Sequence, residues 1–266
     1  MSGSTDESGH TGGIAATALP AWGHSALAIA CIASLAALFI ALARQATPLP
    51  DFSEMDTVER KDAFFEYLSP IVQKLNDTAR EERAVLQKLI AKRGAGEEFS
   101  WLERRELDAL IQRYEIAPES DTSEQPDIDE TLSILDRRIG VIPESLVLIQ
   151  AAKESGWGTS RFAVEGNNLF GQRCFEDGCG IAPLGRANPS FGVAQFDSIE
   201  QSIESYALNL NTHPRYRSFR TLRENLRDAS ESLKGLDLAQ GLTGYSERGQ
   251  AYVDEIREMI LQNDLE

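Results

Sequence analysis

The residues best placed to do chemistry stand at positions 154–158, Glu154-Ser155-Gly156-Trp157-Gly158. Glu154 closes an apolar run with Leu146, Val147, Ile149, Ala151 and Ala152, whose spacing predicts a helix over residues 144–154. A carboxylate at a helix C-terminus meets the negative end of the helix dipole, and the nearby Trp157 and aliphatic groups would withdraw it from water. Both effects raise a carboxyl pKa, which suits a general acid. An ordinary solvated glutamate at a helix end is the competing reading. Further on, Asn167-Asn168-Leu169-Phe170-Gly171 combines amide donors and acceptors with an aromatic ring, the mix that sugar hydroxyls and acetamides require. A turn rich in asparagine explains the same residues. Cys174 and Cys179 enclose a turn-forming Phe175-Glu176-Asp177-Gly178 and suit a hairpin tip. A disulfide there would add ~2 kcal/mol and would need an oxidising compartment. With three cysteines and three histidines there is no cluster with zinc spacing, so neither a metal nor a cofactor is expected. His213, ahead of Pro214, reads as a loop residue rather than a base.

The elements that must position these groups are nearly all helical. Residues 58–93 place Val58, Phe64, Phe65, Leu68, Ile71, Val72, Leu75, Val85, Leu86, Leu89 and Ile90 at helical spacing, with Pro70 expected to bend or split the run. Ser100 and Glu103 form a capping box that opens a helix through Tyr114, and Asp127 and Glu130 form another. Leu132, Leu135 and Ile139 then give the inner face of a short helix ended by Gly140, and Pro143 sits where a first-turn proline is tolerated. A hairpin is expected between Gly171 and Ser198. Ser198 caps a helix through Leu210, Thr221 and Glu224 cap another, and a last helix over residues 250–261 buries Val253, Ile256 and Ile260. No phosphate-cradling glycine loop, nucleophile elbow or dinucleotide fingerprint is present.

Three ordered motifs carry a family resemblance: the run from Glu154 through Ala163 (ESGWGTSRFA), Gly166-Asn167-Asn168-Leu169-Phe170-Gly171, and Tyr245-Ser246-Glu247-Arg248-Gly249-Gln250-Ala251-Tyr252. Together they strongly resemble bacterial Bax-type proteins of the FlgJ-like peptidoglycan N-acetylglucosaminidases. The resemblance runs from about Asp51 to the C-terminus, and the stretch from Lys61 to Pro70 is similar to that family's helical N-terminal part. It implies a mainly α, lysozyme-like glucosaminidase domain with a small β-hairpin lobe, cleaving glycan strands between N-acetylglucosamine and N-acetylmuramic acid.

The family's helix-end glutamate maps onto Glu154 as general acid, and the tyrosine that lies near the sugar's N-acetyl group maps onto Tyr245. Tyr252, two helical turns further on, is a substrate-binding candidate that also reads as a core residue. Asn168 and Phe170 become cleft residues on the resemblance, and Trp157 a sugar platform, whereas Phe162 is expected to pack. A second carboxylate is the usual device in glycosidases. The candidates are Glu176, Asp177 and Asp197, each equally readable as a turn or cap residue. The shortage of an obvious second acid favours a substrate-assisted reaction, in which the acetamido group attacks the anomeric carbon and Tyr245 orients it. Two alternatives remain open: a lytic transglycosylase making 1,6-anhydro ends, and a non-catalytic wall-binding scaffold.

The chain has 266 residues with 42 acidic against 26 basic side chains, a net charge of −16. None of the regions 1–47, 48–126 and 127–266 is net basic, which argues against nucleic acid as a partner. Residues 8–43 carry no charge, and within them residues 26–43 read ALAIACIASLAALFIALA. As helix this spans ~27 Å, close to the hydrocarbon thickness of a bilayer. Ala41-Leu42-Ala43 resembles a signal-peptidase site, but no basic segment precedes the run. A lipoprotein signal ending at Cys31 lacks the large aliphatic residue expected ahead of it. An uncleaved single-pass anchor over residues 24–43 is therefore expected, placing the enzyme in the periplasm at the inner membrane. The expected organisation is a tail and anchor (1–47), a helical stem of unassigned partner (48–117), a polar linker (118–126) and the glucosaminidase domain (127–266).

Overall fold

The computed structural model describes residues 48–116, 127–176, 178–183 and 191–266. The expected membrane anchor, the linker and Asp177 lie outside them. No helix of the described residues is long and apolar enough to cross a membrane.

Helix α1, Thr57–Gly94, is capped by Asp56, whose carboxylate accepts the amides of Val58 and Glu59. It is one helix of 38 residues with Pro70 inside it, so of the two expected effects of Pro70 the split does not occur. The lost backbone hydrogen bond is offset by packing, since Leu68 and Val72 on either side of Pro70 are fully buried. Helix α2, Trp101–Arg113, has the expected capping box: Ser100 Oγ accepts the Glu103 amide at 3.4 Å and Glu103 accepts the Ser100 amide at 2.6 Å. At α3, Ile128–Arg138, Asp127 accepts the Glu130 amide. Next come α4, Glu144–Ser155, and α5, Arg161–Gly166. Strands β1, Arg173–Cys174, and β2, Gly192–Val193, pair antiparallel to make the small lobe, and Cys174 and Cys179 are disulfide-bonded with Cα atoms 6.0 Å apart.

Helix α6, Ile199–Thr212, is capped by Ser198. Helix α7 runs over Arg217–Asp228, so Thr221 lies inside it and is not its cap. The helix begins five residues early because a 3₁₀ turn at Pro214–Tyr216, capped by His213 Nδ1, feeds directly into it. A short α8, Gly235–Leu238, precedes the final α9, Gln250–Gln262.

Two hydrophobic clusters hold these elements. The larger joins Phe64, Leu68 and Val72 of α1 to Leu146, Val147 and Ile149 of α4 and to Val253, Ile256 and Ile260 of α9. The smaller joins Leu86 and Leu89 of α1 to Leu107 and Leu110 of α2 and Leu132 and Leu135 of α3. Helix α1 thus runs through both, and residues 47–266 form a single compact unit.

Candidate active site

Helix α4 is apolar on all sides because it threads the larger cluster, and its one fully buried amide side chain is Gln150. Gly156 ends it in the left-handed conformation at φ 59°, with its amide on Ala152 O. Two residues later Gly158 lies so close to Phe52 that a Cβ would come within 2.7 Å of the ring. The chain therefore turns sharply just past Glu154, which is left at the helix end with solvent on one side.

Other segments converge there. Helix α9 brings Tyr252, whose hydroxyl donates to Glu154 Oε1 at 2.9 Å and accepts from Gln150 Nε2 at 2.9 Å. Helix α6 brings Tyr206, whose hydroxyl donates to Gln150 Oε1. The turn before α9 brings Tyr245, which stacks on Tyr252 with centroids 5.3 Å apart and meets Tyr206 edge-on at 6.5 Å. Phe170, from the loop after α5, stacks on Tyr206 at 4.0 Å. Tyr216 completes the aromatic group, 6.1 Å from Tyr245.

Burial is the main influence on Glu154 and pushes its carboxyl above the usual range. The Tyr252 hydrogen bond and the Lys153 charge pull it down, and Glu255 pushes it up. Glu255 itself is ion-paired with Lys153 and with Arg248, the latter at 2.6 Å. Burial also raises the pKa of Tyr206, Tyr216, Tyr245 and Tyr252, so all four remain protonated near neutrality. A carboxyl that keeps its proton to higher pH, open to solvent on one side, is a chemical fit for a proton donor.

The chain belongs to the glucosaminidase family. The family model that matches residues 130–265 is described as mannosyl-glycoprotein endo-beta-N-acetylglucosaminidase. Protein bax of Escherichia coli strain K12 is 35% identical over 220 residues, covering 82% of this chain and 76% of the relative. No solved structure matches.

Within this glucosaminidase domain the structure brings together Glu154, Tyr245, Tyr252 and Phe170 of the residues singled out from sequence. The other described candidates have different surroundings. Trp157 packs against Phe64 and Phe65 of α1, with Lys61 Nζ 5.1 Å from its ring, rather than facing Tyr245 and Tyr252. Asn168 is buried and commits its whole amide to the loop: Nδ2 donates to Gln172 O and Ala194 O, and Oδ1 accepts from the amides of Phe170 and Gln172. It anchors the β lobe instead of presenting a free amide. Asp197 is held by Gln201 at the start of α6, and Glu176 is exposed beside the disulfide.

Sequence reasoning missed Gln150 and Tyr206. Gln150 has a usable signal, being a lone amide in the apolar run Leu146-Val147-Leu148-Ile149-Gln150-Ala151-Ala152, one helical turn before Glu154. Tyr206 has none, because only the tertiary crossing of α6 over α4 brings it there.

Proposed function

We propose that this glucosaminidase-family glycosidase is an endo-β-N-acetylglucosaminidase that cleaves peptidoglycan glycan strands, with Glu154 as general acid. The observation that carries the reading is a helix-end carboxyl raised by burial and held at one oxygen by a tyrosine from the family's C-terminal motif. In this reaction Glu154 gives its proton to the glycosidic oxygen as the bond to the anomeric carbon breaks, and the substrate's own acetamido oxygen attacks that carbon. Water then opens the cyclic intermediate, with the Glu154 carboxylate taking its proton back. Substrate assistance is supported by the two candidate carboxylates among the described residues, Asp197 being engaged with Gln201 and Glu176 exposed beside the disulfide. Tyr245 fits the role of orienting the acetamide, since no described residue hydrogen-bonds its hydroxyl.

The apolar residues 24–43 would tether the enzyme to the inner membrane with residues 47–266 in the periplasm, and the Cys174–Cys179 disulfide accords with that oxidising compartment. Mass spectrometry of a peptidoglycan digest tests the activity. Reducing ends at N-acetylglucosamine support it, 1,6-anhydro ends would replace it with lytic transglycosylation, and release of products by Glu154→Gln at the wild-type rate would remove Glu154 from the mechanism.

A further inference from the structure

The hydrogen bonds around Glu154 form a chain with a direction. Gln150 is fully buried and Tyr206 nearly so, so water does not compete for their polar atoms. Tyr206 donates to Gln150 Oε1, which turns Gln150 Nε2 toward Tyr252. The Tyr252 oxygen already accepts from that amide, so its single proton goes to Glu154 Oε1. The opposite setting would flip the amide, make Tyr252 donate to Gln150 and require Glu154 to donate from Oε1. It would also strip the buried Tyr206 proton of its acceptor, since Gln150 is the hydroxyl's one partner among the described residues. A buried donor left without an acceptor forfeits its hydration with nothing in return. Tyr206 therefore acts as the stop that selects one setting.

We infer that Gln150 and Tyr206 are positioning residues, which hold Tyr252 as donor to Glu154 Oε1 and so leave Oε2 as the oxygen that carries the acid's proton. The inference rests on the reading of Glu154 as general acid and deepens it. When the proton leaves Oε2, the new carboxylate already has a donor on Oε1, and nothing has to reorient during the reaction. Other groups face Glu154 as well. Lys153 from α4 and Glu255 from α9 act with opposite signs, Glu255 being shared with Arg248, and Tyr206, Tyr216 and Tyr245 are near enough for the Glu154 charge to help raise their pKa values. The four tyrosines stay protonated across the working range, so the titration seen there is that of Glu154.

The test is a ¹³C NMR titration of the Glu154 side-chain carboxyl in the full chain, assigned by its loss in Glu154→Gln, paired with the pH profile of kcat. Tyr252→Phe removes the donor to the carboxylate and should lower the acid dissociation constant of Glu154. Tyr206→Phe and Gln150→Met should each lower it in the same direction by about threefold, through weakened donation from Tyr252. The alkaline limb of kcat should move upward with them. Tyr206→Phe combined with Tyr252→Phe should add nothing to Tyr252→Phe alone, because the chain is already cut. An unchanged or increased dissociation constant in Tyr206→Phe would overturn the proposal and leave both residues a purely structural role. Tyr206→Phe keeps the ring stack on Phe170, so it carries the measurement if Gln150→Met does not fold. Because the NMR titration needs no substrate, shifted constants in a chain that releases no muropeptides would overturn the general-acid reading while leaving the chain's direction standing.

Discussion

At the scale of single residues, Glu154 holds a carboxyl that burial makes harder to ionise, and function and stability then pull apart. Its pKa is raised in the folded state, so the native chain binds its proton more tightly than the unfolded chain. The associated stability is present at acid pH and is lost as pH rises through the folded pKa. Glu154→Gln should therefore melt higher than wild type at neutral pH, with the gain vanishing in acid, as differential scanning calorimetry would show. The same substitution should cut hydrolysis by at least about 10²–10⁴-fold, the range typical of a lost general acid. Tyr245→Phe should reduce kcat by about tenfold or more with little change in melting, because the ring stack on Tyr252 survives and only the hydroxyl is lost.

At the scale of elements, helix termini do much of the organising. Arg223 of α7 is fully buried, and its guanidinium donates to the carbonyls of Arg137, Arg138, Gly140 and Val141 and to Asn211 Oδ1. It thus closes the C-terminal end of α3, where a positive charge is favoured by the helix dipole. Burial lowers its pKa to about 9, which still leaves it charged at neutral pH. Arg223→Leu orphans those carbonyls and should cost roughly 3–5 kcal/mol, a drop of about 10 °C or more in Tm by thermal denaturation. The α3 end was legible in the sequence, through Gly140, but its partner was not. Arg223 read as part of a capped helix start, and only the packing of α7 against α3 turns it inward. In the small lobe, replacing both Cys174 and Cys179 by serine should lower stability by about 2 kcal/mol in chemical denaturation.

At the scale of the whole molecule, the long α1 helix and the glucosaminidase domain share one core. Buried Asn76 of α1 pairs with the backbone of Ile142, donating to its carbonyl at 2.8 Å and accepting from its amide at 3.0 Å. Phe64, Leu68 and Val72 pack into the same cluster as α4, and Trp157, three residues past Glu154, lies against α1. A fragment of residues 127–266 alone would expose that surface. It should show no cooperative thermal unfolding transition of its own, whereas residues 47–266 should unfold in one. A fragment that melts cooperatively near the full chain's Tm would show α1 to be a dispensable addition.

The sequence by itself determined the helical periodicities, the capping residues at Ser100, Asp127 and Ser198, the cysteine pair, and Glu154 at the end of an apolar helix. Those features depend on neighbours within a few residues, and short-range geometry is written directly in spacing. The ordered motifs also sufficed to point to the family. Only the tertiary structure decided which of the motif residues meet. Tyr252 rather than Tyr245 holds Glu154, Asn168 serves its own loop, Trp157 turns to α1, and Gln150 and Tyr206 complete the chain behind the acid. These contacts join residues up to about a hundred positions apart, from Gln150 to Tyr252 and Glu154 to Tyr252. Their geometry is set by how α4, α6 and α9 cross, which no local pattern encodes.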